Sequence, residues 1–169
     1  MYVNDGDYIS GVNKTYSALC SKRQMLPSFI IDKLSHRDMT DKVVLDYGAG
    51  KEIYGTKYLR ESGKFKDIIA YDIGKNVSRD HNTNALFDKY DVVMMSNVVN
   101  VQPSIEEIFH VLVESRNVLV DGGIFFCNYP KQPRKCNVSG ELLRYLLKSL
   151  YCKVDWNKFN DGIIFVCEV

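Results

Sequence analysis

The chain has 169 residues, with 22 Lys and Arg against 21 Asp and Glu, and 46% of its residues are hydrophobic. This composition is typical of one soluble globular domain and excludes a chain dominated by acidic disorder. The formal charge of +1 leaves nucleic-acid binding to a local patch rather than to the field of the whole chain. No apolar run approaches the roughly 18 residues of a membrane span, so we expect a cytoplasmic protein without a membrane partner.

Residues 1–40 are mostly polar, and their one apolar patch, MLPSFIIDKL, predicts a short helix beginning after Pro27. The next segment, KVVLDYGAG, is a continuous apolar run that ends in an acid and two glycines. Such a run is typical of a buried parallel strand that leads into a tight turn. A helix is predicted over residues 52–62. We expect a single domain over 1–169, with 1–40 as an N-terminal segment and 41–169 as the core.

The middle of the chain repeats the strand pattern. KDIIAYD is a second apolar run and ends on Asp72, and YDVVMMSN is a third. The polar stretch between them, rich in Asn, Asp and Ser, is predicted to be mainly loop. Only residues 73–90 lie between Asp72 and Asp91, which is too short for an ordinary helix plus a further strand.

The last third predicts two helices and three strands. Ser104 and Glu107 form a capping box, and the apolar residues that follow recur at helical spacing: Ile105, Ile108, Phe109 and Leu112. The strand IFFCNY and a leucine-rich helix come next, and two strands around 151–156 and 162–168 close the chain as antiparallel neighbours. The whole order predicts an α/β, Rossmann-like, doubly wound and mostly parallel sheet, with helices on both faces and a C-terminal antiparallel hairpin.

The five cysteines are odd in number and never form a Cys-x-x-Cys pair, which favours reduced, packed thiols over a disulfide framework or zinc site. The three histidines, His36, His81 and His110, are scattered, so we predict no metal site. His110 lies about 140° around a helix from Ile105 and is expected to face solvent.

Ligands of an open parallel sheet bind beyond the carboxyl ends of its strands. Three such places carry informative residues. After the first strand, Gly48 and Gly50 allow a tight turn and close approach of a ligand. Asp72 ends the second strand, where a carboxylate can accept both hydroxyls of a ribose. Ser96–Val101 follows the third strand and brings polar amides to the same cleft.

These segments resemble the class I S-adenosylmethionine-dependent methyltransferases. VVLDYGAGK is similar to their glycine motif, IIAYD to their ribose-binding strand, YDVVMMSNVVNV to their fourth strand, and RNVLVDGGIFF to the turn before their fifth. The likeness covers residues 43 to about 128 in the correct order. LDYGAGK together with SNVVNV also resembles small methyltransferase-like proteins of bacteriophages and mobile elements.

The resemblance implies S-adenosylmethionine as the cofactor. Asp46, Gly48 and Gly50 would hold its methionine end, and Asp72 its ribose. Asn97 would lie near the methyl group. The neighbours Ala49 and Ile73 complete the predicted cofactor-binding set. The N-terminal segment from Lys14 to Arg23 would fold over the cofactor as a lid.

The family pattern leaves several points open. Glu52 stands where a third glycine is frequent, and the helix after the turn begins late. The adenine pocket has three alternatives on the loop after Asp72, which are Asp80, His81 and Asn82. No catalytic base is predicted, and the acceptor, whether a small molecule, a nucleotide or a macromolecule, is unidentified. The acceptor side of the cleft is predicted to include Asn97, Asn100 and Tyr129.

Other function classes fit the residues less well. A nicotinamide-binding fingerprint would have glycine at position 53, which is Ile53, and does not favour the acid Asp46. Methyltransferases of exocyclic DNA amines resemble one another in an Asn-Pro-Pro-Tyr motif after the fourth strand, where this chain reads Ser-Asn-Val-Val. The basic residues Lys131, Arg134 and Lys135 fit a solvated loop better than a phosphate site. The alternative to an enzyme is a cofactor-binding or non-catalytic interaction module that keeps the methyltransferase fold.

Overall fold

The computed structural model describes residues 25–133, 135–159 and 162–169. Three of the predictions above concern residues outside these ranges. The candidate lid from Lys14 to Arg23, Arg134 of the basic loop, and the Asn160–Asp161 turn lie outside the described residues.

A six-stranded sheet forms the centre of the fold, and its strands are β1 (Val43–Tyr47), β2 (Asp67–Tyr71), β3 (Tyr90–Met95), β4 (Leu119–Pro130), β5 (Lys153–Phe159) and β6 (Gly162–Glu168). Their order in the sheet is β2-β1-β3-β4-β6-β5. The first four strands in the chain are parallel to one another, and β6 lies antiparallel between β4 and β5. This arrangement confirms the predicted mostly parallel sheet with a C-terminal antiparallel hairpin.

Helices cover both faces of the sheet. They are α1 (Met25–Lys33), α2 (Tyr54–Glu61), α3 (Ile105–Asn117) and α4 (Gly140–Leu150). The first two bury Ile30 and Leu59 against one face, and the last two bury Leu112 and Leu147 against the other. Strand side chains alternate between these two cores, so that Phe125 belongs to the second and Phe126 to the first. The apolar runs without alternation are explained by burial on both sides.

Helix α3 begins as predicted, but its buried stripe is rotated from the predicted one. Ser104 Oγ accepts a hydrogen bond from the Glu107 backbone at 3.2 Å, which caps the helix. Ile105 and Phe109 are exposed, which corrects the predicted apolar face. The helix packs on the sheet through Ile108, Val111, Leu112 and Ser115. His110 is exposed, as predicted.

The connection after β2 is short and contains only two single 3₁₀ turns, Gly74–Asn76 and Ala85–Phe87. Within the described residues β2 pairs with β1 alone and forms an edge of the sheet. The prediction that a helix and a further strand would not fit here is therefore confirmed.

Three further observations concern the described part of the chain. Its helices are all too short or too polar to cross a membrane. Its His, Cys, Asp and Glu side chains form no cluster of three or more that could hold a metal ion. Cys127, Cys136, Cys152 and Cys167 are free thiols. A cytoplasmic location stays a prediction.

Candidate cofactor site

The turn after β1 is built from glycines in left-handed conformations. Gly48 has φ +77° and Gly50 has φ +75°. The N–H groups of Gly48 and Ala49 both donate to the Tyr71 carbonyl, at 2.9 and 3.0 Å. These bonds hold the turn against the end of β2, at the carboxyl edge of the sheet.

Asp72, immediately after β2, closes the other side of this turn. Its Oδ2 accepts the Gly50 N–H at 2.7 Å, and its Oδ1 accepts the Ile73 N–H at 2.7 Å and the Asn76 side-chain amide at 3.2 Å. Burial raises the pKa of Asp72, and these hydrogen bonds oppose the rise. A carboxylate has about four acceptor positions, so one is left for a ligand.

Asp46 lies beneath the turn as the buried acid of β1. Its exposed fraction is 1%, and its Oδ2 accepts the Thr56 hydroxyl of α2 at 2.7 Å. Burial raises its pKa to about 7, hydrogen bonding from Thr56 opposes the rise, and the nearby charge of Asp72 adds to it. Asp46 therefore changes its charge near neutral pH, next to the predicted cofactor site.

Ile53 adopts a left-handed conformation that no feature of the sequence predicts. Its φ and ψ are 44° and 40°, and it is the residue before α2. Left-handed backbone is unusual for a β-branched side chain and costs roughly 1–2 kcal/mol. It also explains why α2 begins at Tyr54 and not at residue 52. A glycine at this position would have signalled the conformation, whereas isoleucine conceals it.

Two of the three predicted adenine alternatives, His81 and Asn82, form hydrogen bonds to the backbone of the glycine turn or of β2. His81 Nε2 lies 3.0 Å from the Gly50 carbonyl oxygen. The Asn82 N–H donates to the Ala70 carbonyl of β2 at 2.8 Å. Asp80 is exposed. The structure thus brings His81, but not Asp80, into hydrogen-bond contact with the glycine turn.

Asn97, after β3, forms a reciprocal pair with Asn128 of β4. The Asn97 N–H donates to Asn128 Oδ1, and Asn128 Nδ2 donates to Asn97 Oδ1, both at 2.7 Å. Asn97 has φ +58° and an exposed side chain. Because Asn128 occupies its oxygen, the Asn97 amide presents its N–H₂ group to a ligand.

The other two residues predicted to contact the methyl acceptor, Asn100 and Tyr129, differ in their hydrogen bonding. Asn100 is 4% exposed, and its Oδ1 has no hydrogen-bond partner in the described part of the chain. The Tyr129 hydroxyl instead donates to the Val138 carbonyl at 2.8 Å and accepts the Val138 N–H at 3.1 Å. Tyr129 therefore fixes the loop after β4 through its hydroxyl, while Asn100 has a buried acceptor atom without a partner among the described residues.

A family model described as a methyltransferase domain matches residues 21–156. This match covers the glycine turn and the segments that carry Asp72, Asn97 and α4. The chain belongs to this methyltransferase family.

Solved structures similar to this methyltransferase domain include other methyltransferases. A SAM-dependent methyltransferase from Archaeoglobus fulgidus is 14% identical with a TM-score of 0.66, and the match covers 87% of this chain and 95% of that one. A SAM-dependent methyltransferase from Clostridium acetobutylicum is 12% identical, with a TM-score of 0.66 and coverage of 98% and 99%.

A third similar structure is the 1,6-didemethyltoxoflavin-N1-methyltransferase from Burkholderia thailandensis, bound to 1,6-didemethyltoxoflavin and S-adenosylhomocysteine. It is 15% identical with a TM-score of 0.67, and the match covers 96% of this chain and 85% of that one. At these identities the likeness shows that the methyltransferase domain shares their fold. No curated protein sequence matches the chain significantly.

Proposed function

We propose that this methyltransferase domain binds S-adenosylmethionine and transfers its methyl group to an acceptor at the cleft beyond β1, β2 and β3. The observation that carries the proposal is the 2.7 Å hydrogen bond from the Gly50 N–H to Asp72. It joins a glycine turn to the acid that follows the neighbouring strand. Open α/β folds use this combination to bind a nucleoside ligand that carries charged groups.

The residues present fit this cofactor. A Cβ on Gly48 would lie 2.3 Å from Val98 Cγ2, so only glycine fits this position of the turn without displacing Val98. Asp72 retains acceptor capacity for a ribose hydroxyl, and the Asn76 amide, its longest bond at 3.2 Å, is the easiest to displace. Asp46 would contribute negative charge from beneath, which favours a cationic ligand.

Each predicted cofactor residue keeps its role within the proposal. Asp46, Gly48, Ala49 and Gly50 would form the site of the methionine end. Asp72 and Ile73 would bind the ribose, and Asn97 would lie near the methyl group. Bound S-adenosylmethionine supplies an electrophilic methyl group on sulfur, so much of the rate enhancement comes from alignment of the acceptor.

The acceptor would meet carboxamides at the ends of β3 and β4. Asn97 offers its exposed N–H₂ group, and Asn100 offers a buried oxygen without a partner in the described residues. Both groups orient a polar acceptor, but neither is a base. This supports an acceptor that is nucleophilic without losing a proton to either carboxamide.

A second candidate function is a binding module that keeps the fold without transferring methyl groups. One observation favours it. The N–H groups of Gly48, Ala49 and Gly50 are all hydrogen-bonded to β2 or to Asp72, so the turn is complete without a ligand.

Calorimetry with S-adenosylmethionine and S-adenosylhomocysteine tests both candidates. We expect both compounds to bind, and Asp72→Ala to abolish binding because the ribose loses its acceptor. Asp121→Ala, which changes an exposed acid at the other end of the sheet, is the matched control. No binding at high micromolar concentration would exclude the enzyme. Binding without transfer to a panel of small nucleophiles and nucleic acids would favour the module.

A further inference from the structure

The backbone of Gly50 is hydrogen-bonded at both its N–H and its carbonyl group. Its N–H donates to Asp72 Oδ2 at 2.7 Å, and its carbonyl oxygen lies 3.0 Å from His81 Nε2. The same carbonyl accepts the Ile53 N–H at 3.2 Å. Asp72 already has a place in the proposed function as a ribose ligand. His81 has none, although it is the side chain that contacts the carbonyl side of the turn.

The hydrogen bonds around His81 define which ring nitrogen carries the proton. The Ser78 N–H lies 3.1 Å from His81 Nδ1, and a backbone N–H only donates. Nδ1 is therefore the accepting nitrogen. In the neutral ring the proton is then on Nε2, which donates to the Gly50 carbonyl. The Ser78 hydroxyl, also 3.1 Å from Nδ1, is placed to donate to the same nitrogen.

We propose that His81 is a positioning residue that fixes the glycine turn in its ligand-binding conformation through Gly50. The proposal rests on the proposed function, because the turn is taken to bind the cofactor. Gly50 has a left-handed backbone and many alternative conformations. If Gly50 is held in one conformation before the ligand binds, binding no longer includes the entropy cost of ordering this residue.

The connection after β2 is anchored well enough for this role. The Asn82 N–H, next to His81, donates to the Ala70 carbonyl at 2.8 Å, and the His81 N–H donates to the Ser78 carbonyl at 3.1 Å. The first bond attaches the connection to the sheet that carries the turn, and the second holds the local turn that contains the histidine. The His81 side chain therefore holds Gly50 in a fixed position relative to β2.

Two substitutions separate the two nitrogens of the ring. His81→Gln keeps a donor near the position of Nε2 and is expected to keep the bond to Gly50. His81→Asn keeps a polar atom near Nδ1 for Ser78 but does not reach Gly50. We expect His81→Asn to weaken S-adenosylhomocysteine binding about 3- to 10-fold, the effect of one hydrogen bond, and His81→Gln to stay within about 2-fold of wild type. Thr83→Ala, an exposed change on the same connection, is the control.

Two measurements do not depend on the cofactor. Long-range ¹⁵N–¹H spectra of the wild-type protein are expected to show His81 with its proton on Nε2. Hydrogen exchange of the Gly50 amide is expected to be faster in His81→Asn than in His81→Gln. If wild-type protein binds no S-adenosylhomocysteine, the proposed function fails, and these two measurements still decide the role of His81.

Specific results would overturn the proposal. One is a proton on Nδ1 of His81 in the folded wild-type protein. Another is equal Gly50 exchange and equal binding in His81→Asn and wild type. If His81→Asn does not fold by circular dichroism, the tautomer of the wild type and the binding by His81→Gln decide the question. Weak binding by a folded His81→Gln would count against a donor role at Nε2.

Discussion

Val98 Cγ2 occupies the space that a side chain on Gly48 would need, 2.3 Å from the position of the absent Cβ. Val98, which follows β3, thereby restricts the position of Gly48, after β1, to glycine. Glycine is required at position 48 for two separate reasons, a left-handed φ of +77° and this contact. The two reasons can be separated by experiment, because Gly122 has a similar φ of +74°, while a Cβ added there would meet no atom of the described residues within 4 Å.

We expect Gly48→Ala to lower the free energy of unfolding by about 2–4 kcal/mol, the sum of backbone strain and overpacking. Gly122→Ala carries the strain alone and should cost about 1 kcal/mol. Urea denaturation measures both. Adding Val98→Ala to Gly48→Ala should recover about 1 kcal/mol or more as a coupling energy. Equal costs at the two glycines would show that the contact with Val98 is unimportant.

Asp46 makes the stability of the protein depend on pH. Its pKa rises from 3.8 in the unfolded chain to about 7 in the fold, so the folded state binds the proton more tightly. The free energy of unfolding therefore falls as pH rises from about 4 to about 7. Asp46→Asn removes the ionisation, and its stability relative to wild type should increase by up to about 4 kcal/mol between pH 4 and pH 8.

Chemical denaturation at several pH values measures this difference, with Asp121→Asn as an exposed control. A constant difference between Asp46→Asn and wild type across that range would contradict the raised pKa. The variant is also expected to lose discrimination between S-adenosylmethionine and S-adenosylhomocysteine above pH 7, since the charge that favours a cation is gone.

At position 53, glycine should stabilise the fold more than alanine does, which reverses their usual order in helices. In a helix interior alanine is the more stabilising residue by up to about 1 kcal/mol, but the left-handed backbone at position 53 penalises every residue with a Cβ. We expect Ile53→Gly to be about 1 kcal/mol more stable than Ile53→Ala, while both lose the burial of isoleucine. Thermal unfolding of the pair measures this. A more stable alanine variant would mean that residue 53 is not left-handed in solution.

The Asn97–Asn128 pair should behave as one unit. Asn97→Ala removes the acceptor of Asn128 Nδ2 but keeps the bond from the backbone N–H of residue 97, whereas Asn128→Ala removes both bonds. Each change should cost about 1–2 kcal/mol. The double variant should cost clearly less than the sum, by about 1 kcal/mol. A double-mutant cycle in urea gives this coupling energy. Additive effects would show that the two amides do not depend on each other.

The sheet and the segments of the candidate cofactor site are predictable because their signals are local. Val93 and Met94 lie within one apolar run, and each is fully buried in a different core, which explains a strand without alternation. Asp72 follows its strand and contacts the glycine turn, as its position in the motif order indicates. In these segments, the chemistry of each residue predicts the same structure as its position in the strand pattern does.

The remainder depends on contacts between distant segments. Asn97 and Asn128 are 31 positions apart, as are Gly50 and His81, and nothing in either local sequence indicates the pairing. The prediction for Ile105 and Phe109 is wrong because helical spacing alone does not determine which side of α3 meets the sheet. The conformation of Ile53 is not predictable because propensity argues against it.

The edge position of β2 has a consequence for engineering of the protein. The connection from β2 to β3 adds no strand beyond β2, and its residue Thr83 is exposed, so extra length inserted near Thr83 would extend into solvent. The entropic cost of closing a longer loop grows only slowly with its length. A reporter or an acceptor-binding peptide inserted there would stand beside the cofactor cleft while His81 and Asn82 keep their attachments to Gly50 and Ala70.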